Sequence, residues 1–417
     1  MTVADSLMWR LGHDPRTRST IVLLHILDRT PEWETVRAAH AAMSGSFRRL
    51  RQKVRPPRHP WGRPEWCDDP DFDVDAHLVR DTADGMDGVL ELCRRAQAKE
   101  WDPRRPLWEA TVVENFDGSR AAHIMAVHHC VSDAYGLRLL LAWLLADVGT
   151  PSPSAQAVPQ ESRVPLARRL ASLALTLARL PVFFAAPRPP LWRSRSLERR
   201  LFTLDVPLDT LRAVGRAGGG SVNDAFIAAV LGGVRRYHEG FGVRHRTVRT
   251  GFPLAHPAYR RLGGGDGLGN HFDTVHFLAP ADEPDVLARV GKVRDNARDA
   301  SSTGRLPGRF RGTTAAVIAP ATAPYILRCV AGADFVTSNT RGMEHSFSLF
   351  GARVDAAYGF APLVGVAFMI CLLSYRGTCH LAVSLDPAAI TDEARFRACL
   401  TEEFDELRAL SASFAGR

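Results

Sequence analysis

The sequence predicts a mixed α/β protein built in two halves, and three observations lead there. At roughly 150 residues per domain, 417 residues imply two or three units, or one large architecture with two halves. Strand-like apolar runs are interleaved with amphipathic helical runs along the chain. Between a first and a second group of such runs the composition breaks, rich in Pro, Ser and Ala at 150–159 and in Pro and Arg at 187–200. The expected organisation is an N-terminal half over 1–148, a crossover linker with a basic amphipathic helix over 149–200, and a C-terminal half over 201–417.

Taken in order, 20–28 (TIVLLHILD) is an unbroken apolar run of strand length, and 33–50 has helical periodicity ending in arginines. Residues 108–116 (WEATVVENF) and 120–129 (RAAHIMAVHH) are strand-like and joined by Asp117-Gly118-Ser119, which suits a hairpin. Leucines 137, 140, 141, 144 and 145 then recur at helical spacing. The local context is strand, short loop, helix.

In the linker, 164–180 (VPLARRLASLALTLARL) sets a leucine face beside Arg168, Arg169 and Arg179, followed by Val182, Phe183 and Phe184. It reads either as a helix docked on the core or as an interfacial helix on anionic lipid, where basic residues beside leucines suit the headgroup boundary. Beyond it, 202–206, 247–253, 272–278 and 335–338 read as strands, and 225–237 as a helix capped by Ser221 or Asn223. The apolar run 366–375 pairs with 379–385 across Arg376-Gly377-Thr378, and a helix over 392–410 closes the chain. The cluster Gly263-Gly264-Gly265-Asp266-Gly267-Leu268-Gly269 lies outside any strand-to-helix context and reads as a flexible loop.

The net charge of +8 is carried by arginine, since Lys53, Lys99 and Lys292 are the only lysines, and it favours anionic partners. Nucleic acid is not expected among them, because the arginines are spread along the chain and no zinc-finger spacing or RNP motif is present. Seven cysteines, odd in number and never in a C-x-x-C pair, indicate neither a disulfide framework nor a zinc ribbon. The first residues lack a basic region leading into an apolar one, which argues against a signal peptide. The longest apolar stretch, 360–373, is broken by Pro362 and Gly365 and falls short of the ~20 residues of a membrane span. The expected location is cytoplasmic.

The stretch that carries chemistry is Val127-His128-His129-Cys130-Val131-Ser132-Asp133. Adjacent histidines at a strand end point to opposite faces, so one of them serves the site and the pair does not share a metal. Acyl transfer to an alcohol needs a base of near-neutral pKa, and imidazole, ~6.5 unperturbed, supplies it. His129 takes that role here, Asp133 that of a structural carboxylate fixing the loop through an arginine or backbone amides, and His128 shapes the turn. Taken alone the pattern is weak, for Asp133 also reads as the N-cap of its helix. A Ser-His-Asp hydrolase is disfavoured, because no G-x-S-x-G elbow occurs.

These residues, with others in order, resemble the bacterial wax ester synthase/diacylglycerol acyltransferase family of the chloramphenicol acetyltransferase-like superfamily. Residues 66–77 (WCDDPDFDVDAH) resemble its "DPDFDLDYH" stretch, Pro106-Leu107-Trp108-Glu109 its PLWE motif, and His128 to Asp133 its HHxxxDG motif. Val222-Asn223-Asp224, Gly269-Asn270, and Ser338-Asn339 with Gly342 resemble its "VND", "GN" and "SN..G" segments. The chain departs from the pattern at Ala134, in place of the motif glycine, and at Thr340-Arg341-Gly342-Met343. If position 134 required φ > 0, alanine there would be strained by about 1 kcal/mol.

The resemblance implies two similar α/β halves with mixed sheets, and His129 in a tunnel between them. Acyl-CoA would enter one mouth and diacylglycerol or a long-chain alcohol the other. It implies His129 as base, His128 and Asp133 beside it, and Pro106, Leu107, Trp108, Asn223, Asp224, Ser338 and Asn339 lining or supporting the substrate site, with Pro106, Leu107 and Trp108 shaping the pocket rather than touching the chemistry and buried packing as their plainer reading. No metal or cofactor is called for beyond acyl-CoA as co-substrate. Peripheral contact with an anionic membrane or lipid droplet through 164–184 is a further expectation. The alternatives are an acyltransferase of specialised metabolism fed by CoA or an acidic carrier protein, and a non-catalytic acyl-CoA- or lipid-binding relative.

Overall fold

The computed structural model describes residues 1–59, 62–145, 188–255, 268–303 and 332–415, so the expected helix at 164–184 and most of the glycine cluster lie outside the described residues. The first half contains α1 (Val3–Leu11), β1 (Thr20–Leu27), α2 (Trp33–Ser46), β2 (Gln52–Arg55), β3 (Glu65–Asp68), β4 (Leu78–Thr82), α3 (Gly85–Ala98), β5 (Trp108–Glu114), β6 (Ala121–His128) and α4 (Ala134–Leu145). The second contains β7 (Arg200–Pro207), α5 (Leu208–Ala217), α6 (Val222–Glu239), β8 (Thr247–Ala255), β9 (Phe272–Pro280), α7 (Val286–Thr303), β10 (Phe335–Arg341), β11 (Ser348–Leu349), β12 (Ala352–Phe360), β13 (Phe368–Tyr375), β14 (Thr378–Leu385) and α8 (Glu393–Ala415).

Among the described residues there are two six-stranded sheets, ordered β11-β12-β1-β6-β5-β4 and β7-β14-β13-β10-β8-β9, and a β2-β3 ribbon. Both large sheets are mixed, with β4 parallel to β5 in the first and β10 parallel to β8 and β13 in the second. Every residue of β6 is buried, as its place between β1 and β5 requires, which is why its sequence is apolar without alternation. The predicted hairpin forms antiparallel β5-β6, its turn using Asn115 and Gly118 at positive φ. Arg376-Gly377, both at positive φ, make the two-residue turn between β13 and β14. The helix expected over 33–50 stops at Ser46 and is followed by a 3-10 turn over Arg48–Arg51.

Two elements cross the expected boundary, β12 and the short β11 paired to it. β12 lies in the stretch assigned to the C-terminal half, yet it joins the first sheet antiparallel to β1, pairing Val22 with Phe360 and Leu24 with Tyr358. The chain then turns through Val364 and Gly365, both at positive φ, and enters the second sheet at Phe368. The long apolar stretch 360–373 is therefore the end of one strand, a turn, and a strand of the other sheet. Among the described residues no helix is long and apolar enough to cross a membrane.

The two sheets share a core. Val22, Leu24 and Ile26 of β1, Tyr358 and Phe360 of β12, Met369 and Cys371 of β13 and Ala382 of β14 belong to one buried apolar cluster. Polar ties reinforce the seam: Gln97 Nε2 donates to Ala361 O at 3.0 Å, and Arg199 Nη1 donates to Gln97 O at 2.8 Å.

In the second half, α6 is a buried helix on which α5, α7 and α8 pack, and its small residues set how closely they approach. A Cβ at Gly232 would overlap the carboxylate of Glu403 on α8, which is 1% exposed and is held by Arg289 and by Arg236 Nε at 3.0 Å. Gly232→Ala is therefore expected to destabilise the protein by about 3 kcal/mol or more, since the methyl displaces the carboxylate and strands buried Arg289 without its partner. A urea midpoint equal to that of wild type would remove this packing from the account.

Candidate active site

The site grows from the end of β6, where the backbone changes partners. His128 N donates to Leu107 O at 2.9 Å, and His129 N donates to Ser19 O at 2.7 Å, just ahead of β1. Val131 N then bonds His128 O at 2.9 Å and closes a turn. Cys130 N donates to His128 Nδ1 at 3.1 Å, so that nitrogen is an acceptor and His128 is neutral there. The opposite edge of the ring lies against Gly12, where a Cβ would overlap Nε2. His128 is 4% exposed, and burial, then the neighbouring His129 and His13, push its pKa down to about 3. His128 is thus committed to the turn.

His129 is only partly buried, and its Nδ1 has no hydrogen-bond partner. Its carbonyl accepts from Asn270 Nδ2 at 2.7 Å, and the ring of Phe272 lies 5.7 Å away, tilted. Both of these come from the second half. Burial pushes the imidazole below its ordinary value, opposed by its own carbonyl, by Asp133, and by Asn270 and Asp5.

Asp133 sits immediately before α4. Its Oδ1 accepts from Tyr135 N at 3.1 Å and Gly136 N at 3.0 Å, capping the helix, while Oδ2 accepts from His271 N at 2.9 Å. Its own N–H donates to Gly269 O at 3.0 Å. The carboxylate therefore works through backbone amides, and it caps the helix and staples the halves together at once. Burial pushes its pKa up, with the amides of His271 and Gly136 opposing. Ala134 opens α4 and is not among the non-glycine residues of positive φ, so the strain conditional on such a φ is absent.

The three residues of the PLWE motif named for the substrate site belong to the core, as the packing reading of that motif expects. Pro106, Leu107 and Trp108 are buried, the last two at 2% and 1% exposure. Trp108 Nε1 donates to Leu50 O at 2.8 Å and the indole stacks on His77 at 4.7 Å, whose Nδ1–H donates to Trp108 O at 2.8 Å. Their aromatic and apolar character is spent on fixing β5 beside β6, with Leu107 O receiving His128 N. The "DPDFDVDAH" stretch contributes His77 to that same packing.

Asn223 and Asp224 lie at the start of α6, and Ser338 and Asn339 on β10. Asp224 forms a capping box with Ser221, which settles the cap between the two candidates. Asn339 Nδ2 donates to Asn223 Oδ1 at 3.4 Å, and Ser338 is 9% exposed within β10. Gly342 is required by proximity, since a Cβ there would overlap Ser374 O.

Comparison with known proteins follows from this geometry. Residues 1–169 match the family model "Wax ester synthase/diacylglycerol acyltransferase catalytic domain", and residues 268–408 match "WS/DGAT C-terminal domain". The chain belongs to this family of acyltransferase enzymes. A candidate diacylglycerol O-acyltransferase of Mycobacterium tuberculosis is 33% identical over 99% of this chain and 92% of its own. A second from that organism, tgs1, is 25% identical over 91% and 89%. Two solved structures share the fold. The wax ester synthase/diacylglycerol acyltransferase of Marinobacter aquaeolei has a TM-score of 0.66 at 18% identity, covering 98% of each chain. The first condensation domain of the calcium-dependent antibiotic synthetase has a TM-score of 0.68 at 16% identity, covering 99% of this chain and 96% of that one. The two-lobed chloramphenicol acetyltransferase-like architecture is thereby established.

Within this family member, sequence reasoning overlooked Asp5, Gly12 and the side chain of Asn270 as parts of the site. Asn270 had a signal in the "GN" pair. Asp5 had none, because the sequence does not show that a residue of the first helix reaches a residue 265 positions away.

Proposed function

We propose that this acyltransferase moves a fatty acyl group from acyl-CoA to the hydroxyl of diacylglycerol or a long-chain alcohol, giving triacylglycerol or a wax ester. His129 Nε2 accepts the hydroxyl proton as the oxygen attacks the thioester carbonyl carbon. As the tetrahedral adduct collapses, the C–S bond breaks and the thiolate takes that proton from the imidazolium, releasing free CoA and the ester. The step balances with no metal or prosthetic group. The two substrates would meet at His129 from opposite mouths of a passage between the halves.

The observation that supports the reading best is the division of labour in the doublet. His128 is sealed into the turn, whereas the His129 side chain retains some exposure, its buried Nδ1 has no hydrogen-bond partner, and its backbone is gripped from both halves. The test is thiol release from acyl-CoA with each acceptor present or absent. Acceptor-dependent release with stoichiometric ester is expected, and activity on carrier-protein thioesters alone would overturn the donor assignment.

The basic leucine-rich stretch 164–184 supports peripheral contact with an anionic membrane or lipid droplet. Flotation with anionic vesicles should weaken at high salt and on deletion of 164–184, and undiminished flotation of the deletion would remove that stretch from the interaction.

A further inference from the structure

The first helix carries a carboxylate whose burial helix capping does not explain. Asp5 and Thr2 form a capping box, with Asp5 N donating to Thr2 Oγ1 at 3.0 Å and Thr2 N to Asp5 Oδ2 at 3.3 Å. Such a cap works at the surface. Asp5 is instead 0% exposed, and withdrawing an ion from water is costly unless donors surround it. The donors are present, and they come from the other half: Oδ1 accepts both the backbone N–H and the side-chain Nδ2 of Asn270, each at 3.0 Å. The same Nδ2 donates to His129 O at 2.7 Å. Four residues after His129, Asp133 Oδ2 accepts His271 N. Two buried carboxylates from the first half thus grip consecutive residues of the second half, and the first of these, Asn270, also holds the carbonyl of His129.

We infer that Asp5 is a positioning residue for acyl transfer, its carboxylate holding His129 in place through Asn270 at the seam of the halves. This rests on His129 as the base. The clamp fixes backbone, so it sets where the imidazole stands relative to two substrates, and a displacement of about 1 Å there is enough to cost ~10²-fold in rate. Its negative charge also favours the imidazolium. The charged and titratable groups acting on His129 are Asp133, Asp5 and His128, Asp133 in turn faces His271, and those around Asp5 are Arg49, at 3.6 Å from Oδ2, Cys130 and the Met1 amino group.

The experiment compares Asp5→Asn, Asp5→Ala and Asn270→Ala in the full chain with acyl-CoA and an alcohol acceptor. Asp5→Asn keeps the shape and an acceptor oxygen but removes the charge. It should lower kcat roughly 10-fold with both KM values within about 2-fold, and shift the acid limb of kcat/KM to lower pH, because the imidazolium loses a favourable neighbour. Asp5→Ala and Asn270→Ala should each cost ~10²-fold, and the double variant no more than the worse single, since both break one clamp. If Asp5→Ala fails to fold, Asp5→Asn and Asn270→Ala carry the test. Wild-type kcat with an unmoved limb in Asp5→Asn, or losses that multiply in the double variant, would overturn the role. A fully active His129→Ala would instead bring down the reading beneath it, whereas an inactive His129→Ala beside an unaffected Asp5→Asn would remove only the clamp.

Discussion

His129→Ala is expected to lower turnover by ~10²–10⁴-fold while leaving the fold intact, the range that general-base catalysis supplies. The two parts of that statement have separate physical grounds. The ring of His129 makes no hydrogen bond at Nδ1, and its aromatic neighbour Phe272 stands 5.7 Å away, so truncation removes little packing. The clamp on the residue is to its backbone N and O, which alanine retains. His128→Ala is the contrasting case. It deletes the acceptor for Cys130 N and opens a void against Gly12, and should reveal itself first as about 2 kcal/mol of lost stability. Because burial pushes His129 below its ordinary value, kcat/KM in the wild type should stay level to somewhat below pH 6.5 before falling. Wild-type turnover in His129→Ala, with acyl-CoA and acceptor saturating, would remove the residue from the mechanism.

The second large effect is loss of stability in mild acid. His25 of β1, His123 of β6 and His40 of α2 are 2%, 0% and 0% exposed and form a chain. His40 Nδ1–H donates to Val36 O at 2.8 Å, its Nε2 faces His123 Nε2 at 3.4 Å, and His123 Nδ1 faces His25 Nδ1 at 3.4 Å. One proton between each facing pair is compatible with all three rings neutral, His123 Nε2–H donating to His40 Nε2 and His25 Nδ1–H to His123 Nδ1. Burial pushes His25 and His40 down to about 4, His128 to about 3, and His123 lower than its ordinary value by the same cause.

The sign follows from proton counting. Below pH 6.5 the unfolded chain binds protons that the folded chain refuses, so stability falls as pH drops from 6.5 toward 4. Each of these groups contributes about 1.4 kcal/mol per pH unit in that window, or roughly 2 kcal/mol between pH 7 and pH 5. His25, His40 and His128 act together in this sense, His123 adds to them in direction, and Asp133, whose value is raised, acts in the opposite sense. The urea midpoint should fall steeply from pH 7 to pH 5, and a flat profile across that interval would mean that these rings are not held neutral.

What the sequence made legible was whatever rests on local pattern. β1, β5, β6, α4, β13 and β14 declared themselves by apolar runs, leucine spacing and turn glycines, and the HHxxxD stretch marked the end of β6. Shorter pieces escaped notice. β2, β3 and β4 are four or five residues long and partly exposed, so they carry no apolar run to read, and α1 opens on a capping box that its few residues hardly advertise. β12 was missed for another reason. Its burial alternates irregularly, and its partner β1 lies at the far end of the chain, a pairing that periodicity does not encode. The same holds for Asp5 and Asn270. The PLWE motif left packing and pocket-shaping both open for Trp108, and its burial shows the packing, because a motif reports a constraint without saying whether packing or substrate imposes it.

The placement of β12 bears on how the molecule is made. During synthesis the first six-stranded sheet must wait for a strand that emerges roughly 340 positions after β1, a loop closure whose entropic cost delays pairing. Until then β1 offers an unpaired edge to any neighbouring nascent chain, a hazard for aggregation on crowded polysomes. Synthesis of β12, rather than completion of residue 145, sets the earliest moment at which this enzyme can acquire its native first sheet, and expressing the two halves as separate fragments would leave each with half a seam.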